Sequence, residues 1–381
     1  MASSTPNVTP NSPVTSVPFL DLKPQYKALE KKINERIQTV LNHGQFILGP
    51  EVVESEKALT AYIGAKYCLT AASGTDALVM ALMALGIGPG DEVITTPFSF
   101  FATAEVISLV GAQPVFVDIE PVAFNINPAL IEKAITSKTK AIMPVSLYGQ
   151  PADFDEINAI GAKHGIPVIE DAAQSFGAPY KGKKSCNLSH VSATSFFPAK
   201  PLGCYGDGGA VFTNDEALHK KMEQIRVHGQ ASRYHHVTMG INGRLDTLQC
   251  AILIEKLSRY EWELGRRNHI AARYAESLLP LGAARLGVPQ VKSDRGSVWA
   301  QYTLRVQDRD GFAARMKERG VPTSVHYPSP LHHQPVYAAI RDRFVCPEAD
   351  KAAREVISLP MYPDLSDEQV SFVINAVKAS V

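Results

Sequence analysis

Short β-branched runs alternate with helical patterns along the first half of the chain, and this alternation most restricts the possible fold. The runs, each bounded by Gly, Pro or Asp, are DEVITT (91–96), PVFVDI (114–119), KAIMPVSL (140–147) and IPVIED (166–171), and two further candidates are ATSFFP (193–198) and GGAVFTN (208–214). Buried strands separated by helices pair mainly in parallel, with helices on both faces of the sheet. The sequence therefore predicts an α/β fold with a mostly parallel sheet.

Helix start signals lie between and after these runs. Asn127 followed by Pro128 predicts an N-cap with proline in the first turn. Asp153 with Glu156 three residues later predicts a capping box, and Ser366 begins the last helix.

The pattern changes after about residue 215 to longer helices, such as RLDTLQCAILIEKLSRYEWEL, and then to a strand-rich part that includes SVWAQYTLRV (297–306). We predict a disordered Ser/Thr/Pro-rich tail over residues 1–16, a large domain over 17–255 and a smaller α+β domain over 256–381. The tail has neither the basic start nor the apolar block of a secretory signal.

Composition argues against several classes of protein. Lys plus Arg balances Asp plus Glu at 38 each, so no nucleic-acid-binding surface is expected. The five cysteines show no paired spacing, which indicates free thiols in a reducing cytoplasm and no zinc or other metal site. No apolar run of roughly 18 residues predicts a membrane span.

Three motifs fall where a parallel sheet binds its ligands, beyond the carboxyl ends of strands. Ser73, Gly74 and Thr75 precede an apolar helix, so their N–H groups and hydroxyls form either a phosphate cradle or a simple N-cap. Asp171 ends a strand and either pairs with a buried cation or caps the next helix. Gln174, about one helical turn further, would face the same ligand.

The third motif is SFFPAKPLGCYGDGG, in which Lys200 stands between two prolines that restrict the backbone. An amine held rigidly near apolar rings has the lowered pKa that suits Schiff-base chemistry, whereas the alternative is a solvated loop lysine. Phe98, Phe100 and Phe101 follow another strand; one could stack on a flat ring, and core packing is expected for at least two.

A phosphate cradle, an aromatic plate, a strand-end carboxylate and a held lysine are together the parts that pyridoxal phosphate requires. In that chemistry the lysine carries the aldehyde as an imine and the carboxylate keeps the pyridine nitrogen protonated. The order of the four motifs, which no single motif specifies, leads to this interpretation.

The chain resembles the DegT/DnrJ/EryC1/StrS sugar aminotransferases from about residue 17 onward, through the motifs SGTDAL, EDAAQSFGA, SFFPAKPLGCYGDGGA, GINGRLDTLQCAIL and VHYPSPLH. The resemblance implies the aspartate aminotransferase-like fold, fold type I, and a homodimer with shared active sites. It also implies transamination of a nucleotide-linked keto sugar by way of pyridoxamine phosphate. The expected substrates are L-glutamate and a UDP-linked 3-keto sugar of N-acetylglucosaminuronic acid, for lipopolysaccharide O-antigen. Another UDP- or dTDP-linked keto sugar is the alternative.

The resemblance also assigns roles to residues near the cofactor ring. Lys200 would bind the aldehyde, Asp171 would face the pyridine nitrogen and Gln174 the ring hydroxyl, while Phe100 would stack on the ring. Many members have His at the position of Phe176, which leaves the role of Phe176 open.

The phosphate and the sugar have their own predicted contacts. Residues that would hold the phosphate are Ser73, Gly74, Thr75 and Ser195, together with Asn242 from the partner subunit. Arg244 and His326 are the candidates for the sugar, since Arg binds carboxylate and phosphate oxygens bidentately. The alternatives are an ion pair of Arg244 with Asp246 and simple packing of His326. The basic run 228–236 is either a mobile loop near the substrate or a solvated turn.

Three rival functions make different predictions from the sequence. Dehydratases on this scaffold replace the lysine with histidine, so Lys200 argues against that chemistry. A dehydrogenase would carry a glycine fingerprint after the first strand, which this chain lacks. A regulatory protein without catalysis would show no bound cofactor and no half-reaction with glutamate.

Overall fold

The computed structural model describes residues 14–381, so most of the predicted tail lies outside the described part. The α-helices, in chain order, are α1 (Lys23–His43), α2 (Pro50–Ile63), α3 (Gly74–Ala84), α4 (Ala102–Leu109), α5 (Pro128–Ala134), α6 (Phe154–His164), α7 (Glu216–Arg226), α8 (Thr247–Leu278), α9 (Arg309–Glu318), α10 (Pro347–Glu355) and α11 (Asp367–Lys378). The strands are β1 (Tyr67–Ala71), β2 (Glu92–Thr95), β3 (Gln113–Phe116), β4 (Thr139–Met143), β5 (Ile169–Asp171), β6 (Pro179–Tyr180), β7 (Lys183–Lys184), β8 (Val191–Ser195), β9 (Gly209–Thr213), β10 (Gln230–Ser232), β11 (His235–His236), β12 (Tyr302–Arg305) and β13 (Val356–Leu359).

The large domain is built on a mixed sheet whose strands run in the order β1-β9-β8-β5-β4-β2-β3. Two ladders, β1-β9-β8-β5 and β3-β2-β4, are joined where β4 and the residues after it form parallel bridges with the β5 region, at Ile142 with Val168 and at Val145 with Asp171. β9 is antiparallel to both of its neighbours, and the other pairings are parallel. The predicted α/β class and mostly parallel sheet are confirmed.

Helices cover both faces of this sheet, as its strands require. One face packs its apolar side chains against α3, α4 and α7. The other packs against α2, α5, α6 and the first part of α8. Because helices cover both faces, a ligand site is expected beyond the carboxyl ends of the strands.

The small domain has a separate core around the antiparallel pair β12 and β13. Its helices are α9, α11 and the second part of α8, which contributes Ile270, Tyr274 and Leu278. The boundary we placed after residue 255 falls inside α8, whose earlier residues Leu253 and Tyr260 belong to the large domain's core. Val17 is buried in the small domain and donates its N–H to the carbonyl of Gly320.

The helix start signals were mostly correct. Asn127 caps α5 through its side chain, and Ser366 forms a complete capping box at α11. The predicted box at Asp153 is wrong, because its carboxylate makes no cap and instead binds Lys292 (2.8 Å) and Arg295 (2.7 Å). The two cationic side chains, of which only that of Arg295 is buried, offer this carboxylate stronger hydrogen bonds than backbone N–H groups do.

The strand predictions missed six elements. The sequence patterns predict neither β1 and β13 nor the short strands β6, β7, β10 and β11, and SVWAQYTLRV contains only the short strand β12. Among residues 14–381, no helix combines the length and apolar composition needed to cross a bilayer.

Candidate active site

The carboxyl ends of β5 and β8 lie side by side, because the two strands pair in parallel with Asp171 opposite Ala193. Asp171 ends β5, and the segment that follows β8 carries Lys200. The two side chains are close enough for each charge to affect the pKa of the other. The sheet thus brings together two groups that are 29 positions apart in the chain.

Asp171 is a buried carboxylate with fixed hydrogen bonds. Its Oδ2 accepts from the Thr103 hydroxyl at 2.8 Å and its Oδ1 from the Ala173 N–H at 3.1 Å. Burial raises the pKa of this carboxyl, and those two donors and the Lys200 charge oppose the rise. These hydrogen bonds therefore fix the orientation of the carboxylate, which can still bind a cation or an N–H donor.

Lys200 is half-buried in a turn, where its N–H donates to the carbonyl of Phe197 at 2.8 Å. Within residues 14–381 its amine has no hydrogen bond and no ion pair. Burial lowers the pKa of the amine, and the Asp171 carboxylate opposes this. A positioned amine without a partner differs from the solvated loop lysine that was the alternative.

The helix that we expected after Asp171 is a series of turns, so the one-turn spacing for Gln174 was wrong. Gln174 still lies at the site: its Oε1 accepts from the Tyr148 N–H (2.8 Å) and its Nε2 donates to the Tyr327 hydroxyl (3.1 Å). Phe100 contacts the same Tyr327 ring, with centroids 6.4 Å apart. Thr103, Tyr148 and Tyr327 were not predicted as site residues, although Tyr327 lies in the VHYPSPLH motif, because each joins the site only through tertiary contacts.

The N-terminus of α3 forms a cradle against the end of β8. Ser73 is the N-cap, and its hydroxyl accepts from the Asp76 N–H at 3.0 Å. The N–H groups of Gly74 and Thr75 have no partner within the described residues. A Cβ on Gly74 would lie 2.7 Å from the Cβ of Ser195, so only glycine allows this approach.

The cradle fits an anion, since two free N–H groups at a helix start favour negative charge. Phosphate at that point, with an aimed carboxylate, a free amine and an exposed ring nearby, matches the donor set that pyridoxal phosphate requires. Phe100 is 57% exposed, whereas Phe98 and Phe101 pack in the core as expected for two of the three. The residues present therefore fit the cofactor.

The remaining predicted residues lie around this group. The carbonyl of Gly243 accepts from the Ala72 N–H at 2.9 Å, so its neighbours Asn242 and Arg244 stand beside the cradle. Asn242 is exposed. Arg244 makes no ion pair with Asp246 within the described residues, and its Nε is buried without a hydrogen-bond partner.

His326 lies on the segment that also carries Tyr327. Its Nδ1 is 2.9 Å from the Ser358 hydroxyl, and its carbonyl accepts from the Tyr148 hydroxyl. Burial, with a smaller contribution from the Lys200 charge, lowers the pKa of His326 to about 4. The imidazole is thus neutral at pH 7 and can serve as a hydrogen-bonding group but not as a cation.

Phe176 is buried in the core, whereas the 228–236 run lies on the surface. Phe176 is buried and stacks on Tyr62 at 5.6 Å between ring centroids, so it packs behind the site. The run forms an exposed hairpin of β10 and β11, with its Arg233, His235 and His236 side chains exposed.

Comparison with known proteins adds a family to this geometry. The model of the DegT/DnrJ/EryC1/StrS aminotransferase family matches residues 27–378. The chain is 56% identical over 361 residues to the UDP-2-acetamido-2-deoxy-3-oxo-D-glucuronate aminotransferase of Pseudomonas aeruginosa, covering 95% of this chain and 99% of that protein. It is 48% identical over 364 residues to a pleiotropic regulatory protein of Geobacillus stearothermophilus, covering 95% and 98%.

The fold also matches that of a solved structure. DesV from S. venezuelae, in complex with a ketimine intermediate, superposes with a TM-score of 0.93 at 40% identity, covering 96% of this chain and 98% of that one. The likeness confirms the predicted fold type I architecture.

We expect His326→Asn to change how stability depends on pH. A histidine ordinarily titrates near pH 6.5, so between pH 6.5 and 4 the unfolded chain binds a proton that the folded chain excludes. Stability present above pH 6.5 is therefore lost as the pH falls through this window, by up to about 3 kcal/mol from His326. Urea unfolding of both proteins at several pH values should show a shallower loss for the variant. Parallel curves would contradict a buried neutral His326.

Proposed function

Because the chain belongs to the DegT/DnrJ/EryC1/StrS aminotransferase family, we propose that it is the pyridoxal-phosphate-dependent transaminase that converts UDP-2-acetamido-2-deoxy-3-oxo-D-glucuronate to its 3-amino sugar. The amino donor is L-glutamate. The observation that carries the chemistry is the free Lys200 amine beside the buried Asp171 carboxylate. The choice of sugar rests on the relative that is 56% identical.

Besides Lys200, residues of this chain hold the cofactor at three points. Gly74 and Thr75 offer unpaired N–H groups, and Ser195 a hydroxyl, to its phosphate. Asp171 faces the ring nitrogen, and Phe100 lies against the ring. When bound, pyridoxal phosphate supplies an aldehyde that condenses with amines and a ring that draws electrons from the substrate carbon.

Lys200 has two tasks in this proposal. It holds the cofactor covalently through its amine in the resting enzyme. When not bound to the cofactor, the same amine would accept the proton from the donor's α-carbon and, in the second half-reaction, would deliver a proton to the former keto carbon of the sugar. A pKa lowered by burial suits both tasks, because a larger fraction of the amine is unprotonated near neutral pH.

Asp171 keeps the ring nitrogen protonated. Its hydrogen bonds from Thr103 and Ala173 favour the carboxylate form, against the burial that would neutralise it. Gln174 is held between Tyr148 and Tyr327, so its position beside the ring does not depend on the cofactor.

We infer that two copies of the chain form the complete site. Large apolar side chains are exposed at Phe46 (46%), Ile47 (53%) and Leu48 (43%), and the loop that carries them pairs with the start of α8 through Ile47 and Asp246. An apolar patch of this kind indicates a protein interface. In this proposal the exposed Asn242, which precedes α8, contacts the cofactor phosphate that is bound in the partner subunit.

The product enters surface-polysaccharide synthesis, such as that of lipopolysaccharide O-antigen, in the cytoplasm. The role in polysaccharide synthesis follows from the resemblance to enzymes that make such sugars. Free, buried cysteines at all five positions support the cytoplasmic location, because a reducing compartment keeps thiols unpaired.

A regulatory role without catalysis is the second candidate, since a relative with that name is 48% identical. It requires neither the free amine nor the aimed carboxylate. Conversion of the bound cofactor by glutamate in the absence of sugar separates the two candidates.

Lys200→Ala should abolish the borohydride-stable bond between cofactor and protein and lower turnover by about 100-fold or more, the range for losing a positioned acid–base group. Lys200→Arg keeps the charge and should fail in the same way, because guanidinium does not condense with aldehydes at neutral pH. Mass spectrometry after reduction and steady-state rates give the two readouts. Full turnover in Lys200→Ala would refute the assignment.

Asp171→Asn should lower the rate by about 100-fold or more, because a preorganised charge is lost from the ring nitrogen. Glu170→Gln is the matched control. Glu170 is the preceding residue of β5, is equally buried, and accepts hydrogen bonds from Ser185 and Ser192 on the other face of the sheet. It should affect stability far more than rate. A near-normal rate in Asp171→Asn would mean that this carboxylate is structural only.

A panel of UDP- and dTDP-linked keto sugars, each with glutamate or glutamine, tests the substrate. We expect amination of the UDP-linked 3-keto uronate with release of 2-oxoglutarate, and NMR of the product locates the new amine. Activity on dTDP-linked 4-keto-6-deoxy sugars alone would replace the proposed substrate while leaving the transaminase chemistry intact.

A further inference from the structure

Two histidines and one aspartate meet away from the active-site groups, on the segment that follows Tyr327. His332 and His333 belong to a short 3-10 helix, Leu331–His333, and Asp350 lies on α10. One potential ligand atom from each side chain lies within 4.8 Å of the other two. In the part of the chain that the structure describes, no other three His, Cys or acidic residues come together in this way.

Two buried side-chain atoms of this cluster have no hydrogen-bond partner within the described residues. His332 is only 1% exposed, yet its Nδ1 is buried without a hydrogen-bond partner. The Oδ1 of Asp350 is also buried without one. Its neighbour, the Nδ1 of His333, is 3.6 Å away, which exceeds hydrogen-bond length. Buried polar atoms without partners cost free energy, so the arrangement favours a ligand that joins them.

The distance between His333 and Asp350 suits a metal ion. In a tetrahedral zinc site with bonds of about 2.0–2.1 Å, neighbouring ligand atoms are about 3.3 Å apart. The 3.6 Å between His333 and Asp350 is close to that edge. Imidazole nitrogens with a carboxylate are the donors that zinc and its neighbours in the first transition row prefer.

We propose that His332, His333 and Asp350 bind a divalent transition-metal ion of the Zn²⁺ type, with water as the fourth ligand. The His333 side chain is 40% exposed, which provides the route for ion and water. Asp118 lies nearby but is excluded as a ligand, because both of its oxygens already accept backbone N–H groups, from Ile119, Glu348 and Ala349.

The ion fastens the segment that carries His326 and Tyr327. Leu331, at the start of the short helix, donates its N–H to the carbonyl of Pro97 at 2.7 Å, just beyond β2. The metal adds a second attachment, from His332 and His333 to α10. It thereby holds the Tyr327 hydroxyl, which bonds Gln174, from outside the active site.

Zinc titration of the chelator-treated, dialysed holoenzyme tests this proposal. Calorimetry of the wild type should show a binding event that His333→Ala and Asp350→Asn each weaken by at least about 10–100-fold, the loss known for weaker, outer-shell changes. Zinc should also raise the melting temperature of the wild type and not of either variant.

His164→Ala is the matched control, since His164 pairs with Glu132 at 2.8 Å but has no third ligand. Its zinc titration should equal that of the wild type, so binding of zinc elsewhere cancels in the comparison. Asp350→Asn conserves shape and keeps the test valid if His333→Ala fails to fold. Absence of zinc binding in the wild type, or an unchanged affinity in Asp350→Asn, would overturn the site and leave a plain His333–Asp350 ion pair.

Discussion

The buried carboxylate of Asp171 is the constraint on which the rest of the active site depends. A buried charge at the carboxyl end of a strand costs free energy unless fixed hydrogen-bond donors or a cation replace the lost hydration. Thr103 and Ala173 supply the donors, and Lys200 supplies a nearby amine whose own pKa is lowered by the same burial. The carboxylate form of Asp171 thus depends on these donors and on Lys200, against its own burial, whereas burial of Lys200 favours its neutral amine.

Residues of the motif EDAAQSFGA lie on two sides, some facing the active site and others packed behind it. Asp171 and Gln174 face the site, while Glu170 and Phe176 are buried in the layer behind it. The Glu170 carboxyl is held by Ser185, Ser192 and the Cys186 N–H, and burial raises its pKa to about 7. Alternation along β5 explains the division between Glu170 and Asp171, because successive strand residues point to opposite faces. A site built on such a strand gains rigidity from the packing behind it.

The active site also depends on segments that are distant in sequence. Tyr327 and His326 come from the small domain's side of the chain, and Leu331 fixes their segment to the end of β2. The proposed metal cluster would add a second attachment to α10. Because residues from several elements line the site, its geometry depends on how the domains pack.

Local sequence determined the parallel sheet, the caps of α5 and α11, and the identity of Lys200, Asp171 and the Gly74 cradle, because periodicity, turn residues and motif order act over short stretches. It did not determine that Asp153 would bind Lys292 and Arg295, nor that turns would follow Asp171. Thr103, Tyr148 and Tyr327 were not predicted as site residues, and only the tertiary structure placed them at the site. Such contacts join residues up to 178 positions apart, as Tyr148 and His326 are, and their energies depend on a burial that exists only after the sheet, the two domains and their connecting helix have packed.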